Sequence, residues 1–236
     1  MNEHTHKQFD AEMESLRTGV LGMGGLVETQ INRAIQALTE DQDGAGIVDA
    51  VGADEHRIND MQIMMDHQCS QIIAKRQPAA IDLRMILTIT KIVNDLERIG
   101  DEAKKIAYKA TQMHGGDRLT QVRFFDVVRS AQTARSLLQS ALDAFARLDV
   151  IESAGVIQRD EEIDAAFSSV LRQLISYMME DPRTITPALE IVFIAKSIER
   201  IGDHAKNIAE AVVQVVKGKD IRHATPDQIR AEVEES

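Results

Sequence analysis

The side chains best placed for chemistry in this 236-residue chain are carboxylates in i, i+4 pairs. Glu97 and Asp101 fall on one face of any helix that carries them, with about 6 Å of rise between them. Glu199 and Asp203 repeat that spacing in the second half of the chain. Beside each pair stands a glycine, Gly100 or Gly202. A mid-helix glycine costs about 1 kcal/mol against alanine, so its recurrence calls for a close approach by a neighbour.

Folding the chain back on itself gives each pair a partner. Glu55 lies 23 positions before Pro78 and Asp101 lies 23 after it, while Asn59 and Glu97 are 19 each way. Asp160 with Asp203, and Asp164 with Glu199, share one midpoint beside Pro182. Helix axes pack about 8–10 Å apart, a gap that two inward carboxylates nearly close. Facing carboxylates repel, and their pKa values rise unless a cation neutralises them. Oxygen donors without cysteine favour hard ions such as Mg²⁺, Ca²⁺, Mn²⁺ or oxidised iron (Fe). The expected metal ligands are therefore Glu55, Asn59, Glu97 and Asp101 in one cluster, and Asp160, Asp164, Glu199 and Asp203 in the other. The second set has one more carboxylate and is expected to hold metal more tightly. The plainer reading makes these residues solvated surface pairs: Asp101 with Lys105, Asp203 with Lys206, Arg98 with Glu102. One copy alone would favour it; two copies, each opposite a second polar pair, favour the clusters.

The elements that must position these residues are long helices. All four prolines lie outside the periodic apolar stretches. Reading between breakers gives helices over Lys7–Thr39, Val48–Arg76, Asp82–His114, Leu119–Leu148, Glu152–Glu180 and Pro187–Lys217. The first is closed by the segment 41–46, the second by Gln77-Pro78, and the third by Gly115-Gly116. Thr186 reads as an N-cap with Pro187 in the first turn. Glu-Arg-Ile-Gly-Asp occurs at both Glu97–Asp101 and Glu199–Asp203, and each copy is followed by Ala-Lys. Upstream, the segment Asp54–Asn59 resembles Arg159–Asp164. A repeat of this length points to duplication of a three-helix unit. The expected fold is all-α: two tandem, similar three-helix bundles over residues 1–116 and 117–218, and a mobile polar tail over 219–236.

Composition narrows the function classes. Thirteen glycines and four prolines are too few for the hairpins of an all-β fold. Six Phe, two Tyr and no Trp offer few stacking platforms, and a formal charge of −11 repels phosphate backbones and anionic lipid. Nucleic acid is not an expected partner. The single cysteine, Cys69, reads as a small buried hydrophobe and gives no sign of an oxidising compartment. The first ten residues are polar and lack a signal-peptide core, and no uncharged run near them could span a bilayer, so the expected location is cytoplasmic. The histidines form no His-x-x-x-His or His-Glu-x-x-His pattern, and no Glu-x-x-His pair of the di-iron type lies in the helices. Gly19, Gly22, Gly24 and Gly25 either permit close helix packing, within or between subunits, or loosen the first helix. Met61, Met64, Met65, Met85, Met178 and Met179 read as core filler.

Over residues 7–217 the chain resembles the PhoU family of phosphate-transport regulators. The segments that carry the resemblance are Ile72–Pro78, Leu96–Asp101, Tyr177–Asp181 and Ser197–Asp203. That family is built from two three-helix bundles, and some members carry metal on paired Glu/Asp-x-x-x-Asp motifs. Carried over, those motifs fall on Glu55, Glu97 and Asp101, and on Asp160, Asp164, Glu199 and Asp203; Asn59 departs from the acidic pattern. The resemblance implies a cytoplasmic negative regulator of phosphate uptake and of phosphate-starvation two-component signalling. Its implied partners are the ATPase subunits of the phosphate ABC transporter and the phosphate-sensing histidine kinase, with membrane association only through them. Family members are often dimers, so a homodimer is implied as well. The competing classes are a metal-dependent phosphohydrolase, which lacks an evident nucleophile here, and a helical scaffold with no metal dependence.

Overall fold

The computed structural model describes residues 2–39, 44–113, 118–219, 221 and 228. Among these residues there are six long helices, one short 3₁₀ turn and no strand, the all-α fold that the breaker pattern predicts. The helices are α1 (Asn2–Thr39), α2 (Gly44–Arg76), α3 (Ala80–Met113), α4 (Arg118–Arg147), α5 (Val150–Glu180) and α6 (Ile185–Lys217). The expected closing signals at 41–43 and 114–116 lie outside the described residues, as does most of the polar tail. Ile221, in that tail, is buried against the core.

Within each half the three helices pack on one another, α1 with α2 and α3, and α4 with α5 and α6. Two further seams join the halves, α3 along α6 and α1 along α4. The buried residues of all six helices form one continuous core. α3 buries a broad stripe (Ile86, Ile89, Ile92, Val93, Leu96, Ile99, Ala103, Ile106) because it meets α1, α2 and α6 at once. α6 plays the same part in the second half.

Several sequence expectations need correction. α6 begins at Ile185, after the turn Pro182–Thr184, so Thr186 is not its N-cap. Thr184 holds the capping position, and its hydroxyl donates to the carbonyls of Asp181 (2.7 Å) and Tyr177 (3.2 Å) instead of capping α6. Pro187 still sits in the first turn, where its missing N–H goes unused. α1 begins at Asn2, ahead of Lys7, so Glu3 and His6 stand at Glu-x-x-His spacing within a helix, and α2 begins at Gly44, ahead of Val48 and inside the segment expected to be a loop. Of the methionines, Met65 is buried and Met61, Met85 and Met178 pack partly against the core, but Met64 and Met179 are exposed. Cys69 is buried, and burial pushes its thiol up from the usual range, against reactivity.

The glycines of α1 divide. A Cβ on Gly24 would stand 2.5 Å from Leu142 Cδ1, so this glycine lets α1 approach α4 of the other half. Gly19 accommodates the tip of Met65, and nothing lies within 4 Å at Gly25. Gly24 therefore serves packing within one chain, between its halves.

Candidate functional site

The repeated glycines are the fixed points of the site. A Cβ on Gly100 would lie 3.2 Å from Ile58 Cδ1, and one on Gly202 would lie 2.8 Å from Ile163 Cδ1. Ile58 and Ile163 are themselves equivalent in the repeated segments, so the two hairpins are built alike. Each glycine lets the preceding helix come close, which sets the carboxylates of α2 and α5 beside those of α3 and α6. A buried oxygen fills the remaining space in each notch: Gln30 Oε1 beside Gly100 (2.8 Å from the Cβ position) and Asp160 Oδ1 beside Gly202 (3.1 Å).

The second cluster is the more buried. Asp160 is only 2 % exposed, and its Oδ1 has no hydrogen-bond partner. Its Oδ2 accepts a bond from Lys206 Nζ at 3.0 Å. Glu199 and Asp203 are half-buried, and Asp164 is exposed. Burial raises the Asp203 carboxyl above the usual range, and the charges of Glu199, Asp160 and Asp164 add to the rise. Burial likewise raises Asp160; Lys206 opposes that shift, while Asp164 and Glu199 reinforce it. Asp203 thus feels the charges of the other three expected ligands of this half, and Asp160 feels those of Asp164 and Glu199.

In the first cluster Glu55, Asn59, Glu97 and Asp101 are each partly buried. Burial raises Glu97, Asp101 and Glu55 reinforce the rise, and Arg98 and His204 oppose it. Asn59 contributes an amide where the second half has Asp164.

As the side chains stand, no three His, Cys, Asp or Glu among the described residues gather closely enough to hold a metal ion together. Lysines lie against the carboxylates instead. Lys104 pairs with Glu55, and Lys196 pairs with Glu199. Lys206 pairs with Asp160. Lys104 and Lys206 are the same residue of the repeat, the lysine of Ala-Lys after each motif. The donor set nonetheless suits a hard cation in the second half. Every donor is oxygen, and Asp160 Oδ1 is buried without a partner beside Gly202. The first half fits less fully, having one carboxylate fewer.

The surface pairs of the plainer reading are replaced by others. Lys206 bonds Asp160 rather than Asp203, and Lys105 bonds Glu102 (3.0 Å) rather than Asp101. Glu102 is buried, and its partner from the other half is Arg200 Nη1 at 2.8 Å, not Arg98. His204 Nδ1 stands 2.8 Å from Asp95 Oδ1, and Asn207 donates to the same oxygen. The Glu102–Arg200, Asp95–His204 and Asp95–Asn207 contacts join α3 to α6, across the two halves.

A family model described as "PhoU domain" matches the chain twice, over residues 20–110 and 127–212. The chain belongs to the PhoU family. A PhoU homolog of the phosphate-specific transport system from Pseudomonas aeruginosa is 44% identical over 234 residues, covering 99% of this chain and 96% of that one. The phosphate-specific transport system accessory protein PhoU of Escherichia coli is 40% identical over 230 residues, covering 97% and 93%. The crystal structure of PhoU from P. aeruginosa superposes with a TM-score of 0.84, over 89% of this chain and 100% of that one. The phosphate transport system regulatory protein PhoU of Streptococcus pneumoniae, at 26% identity, gives 0.80 over 90% and 98%. The two family matches begin at Val20 and Val127 and fall one on each half of the helical architecture.

Proposed function

We propose that this protein is an accessory regulator of a phosphate-specific transport system. In this reading it restrains phosphate uptake and holds phosphate-starvation two-component signalling off when phosphate is plentiful. The observation that carries the reading is the 44% and 40% identity, over nearly the whole chain, to relatives named as accessory proteins of that system. Among the described residues no helix is long and apolar enough to cross a membrane. In this reading contact with the transporter is made through its cytoplasmic ATPase subunits. The second partner in this reading is the cytoplasmic part of the sensor histidine kinase, with the protein bridging the two as an adaptor, itself a homodimer.

The clusters would supply the link between metal and adaptor. Asp160, Asp164, Glu199 and Asp203 would hold one hard cation, and Glu55, Asn59, Glu97 and Asp101 would hold another. A bound ion supplies positive charge among facing carboxylates and ties α5 to α6, or α2 to α3. The chain's own part is to hold those oxygens at fixed depth beside the glycine notches, so that the outer surface of each hairpin keeps one shape. No catalytic step enters this reading.

The deciding experiment is capture of purified transporter ATPase and kinase cytoplasmic domains by this protein, with and without Mn²⁺. Saturable binding to either supports the adaptor role, and metal-dependent binding supports the link to the clusters. Failure to bind both domains under both conditions would overturn it.

A further inference from the structure

The lysines at the clusters have no place in the function proposed above. Three ammonium groups lie on the carboxylates that would hold metal: Lys104 on Glu55, Lys196 on Glu199, and Lys206 on Asp160. Lys104 and Lys206 are equivalent in the repeat and each meets the equivalent carboxylate of the preceding helix, so the arrangement is built twice. The third has a second resting place, since Lys196 Nζ lies 5.4 Å from the centre of the Phe167 ring. Lys206 Nζ reaches Asp160 Oδ2 while Asp160 Oδ1, on the same carboxylate, stays buried and partnerless.

We infer that Lys104, Lys196 and Lys206 are resident counter-cations which a metal ion must displace, so that these lysines set the affinity of each cluster. A flexible primary ammonium on a four-carbon stem suits that task, because it can swing to water without breaking the helix that bears it. All three side chains are already partly solvated, at 50 %, 49 % and 37 % exposure for Lys104, Lys196 and Lys206. The lysines also even out the two clusters. The second has one more carboxylate than the first and one more lysine, so the two carry the same formal charge. An advantage for the second site based on carboxylate number alone is therefore cancelled until its lysines leave. This inference rests on the metal-binding reading, and its test separates the two.

The test is Mn²⁺ binding to the full-length protein, followed by the electron paramagnetic resonance signal of the free ion at neutral pH. Lys206→Met and Lys104→Met each remove a competing cation and are expected to tighten one class of site by about twofold to fivefold, the worth of a half-exposed ion pair. Lys206→Arg keeps the charge and is expected to bind no more tightly than the unmodified chain. A second measurement needs no variant: amine acylation read by mass spectrometry. Lys104, Lys196 and Lys206 should react about threefold or more faster once Mn²⁺ is added, with Lys105 and Lys109 as unchanged references. If Mn²⁺ binds but neither affinity nor acylation changes, the lysines do not compete and the inference fails while the metal reading stands. If Mn²⁺ binds only to the methionine variants, the lysines block the sites outright and the inference is upheld. If no form binds it, the metal reading falls and takes this one with it.

Discussion

The Glu102 carboxylate of α3 and the Arg200 guanidinium of α6 meet 2.8 Å apart across the seam between the halves. Glu102 is almost wholly buried, yet Arg200 is close to half exposed. The pairs Asp95–Asn207, Glu102–Arg200 and Lys109–Phe193 advance along α3 as they retreat along α6, residue for residue. The two helices are therefore antiparallel, and that register places Gly100 level with Gly202.

Glu102→Ala should loosen this seam. Arg200 and Lys105 can both turn to water, which discounts the penalty for orphaned charges to about 1–2 kcal/mol. Chemical denaturation should show a lower midpoint, and amide exchange should rise along α3 and α6 before it rises in α2 or α5.

Glycine substitutions should split by location. Gly202→Ala gains helix propensity but forces its Cβ onto Ile163 and Asp160, and Gly100→Ala does the same with Gln30 and Ile58. Each should cost about 1–2 kcal/mol net, because overpacking outweighs the propensity gain. Gly155→Ala, with nothing within 4 Å, should instead stabilise by up to about 1 kcal/mol. Thermal unfolding of the three variants side by side is sufficient; equal shifts would show that the notches are not tight.

The pH dependence of the metal-free protein has a definite sign. Burial raises the folded-state carboxyls of Asp203 and Glu97 above their ordinary values, so the native state holds protons that the unfolded chain has released. Between the ordinary carboxylate range and the raised values, stability must fall as pH rises. Asp203→Asn removes one such group, and its denaturation midpoint should change less steeply with pH across that window. An unaltered slope would place Asp203 outside the cluster.

Glu199→Ala combined with Asp203→Ala removes half of the carboxylates of the second cluster. Metal content measured by elemental analysis of protein purified without chelators should fall, and capture of the kinase domain should weaken. Unchanged stoichiometry would detach metal from the mechanism.

Much of this was legible in the residue order. Helix number and most helix ends follow from prolines and apolar period, and the duplicated Glu-Arg-Ile-Gly-Asp marks both notches. The close approach at Gly100 and Gly202 was readable too, because a mid-helix glycine without a neighbour has no reason to recur. What could not be read was tertiary. Register arithmetic about Pro78 pairs helices within a hairpin but is blind to α6 lying on α3, so Glu102 looked like a surface acid. The plainer surface reading pairs Lys206 with Asp203 by i, i+3 spacing, yet its long stem reaches across to the more deeply buried Asp160. Thr186 looked like a cap because Ser, Thr, Asp or Asn before proline is a strong local signal. The turn at Pro182–Thr184 overrides it by using Thr184 to satisfy carbonyls at the end of α5.

The levelling of Gly100 with Gly202 has a consequence for ancestry. When two copies of one unit meet in a register centred on equivalent residues, each presents the surface it would offer to an identical twin. The seam is thus a rotational dyad written into a single polypeptide. Because both units lie in one chain, their meeting does not depend on protein concentration. Arg200 now faces Glu102, whereas their dyad counterparts are Arg98 and His204, so the rotation no longer exchanges like for like.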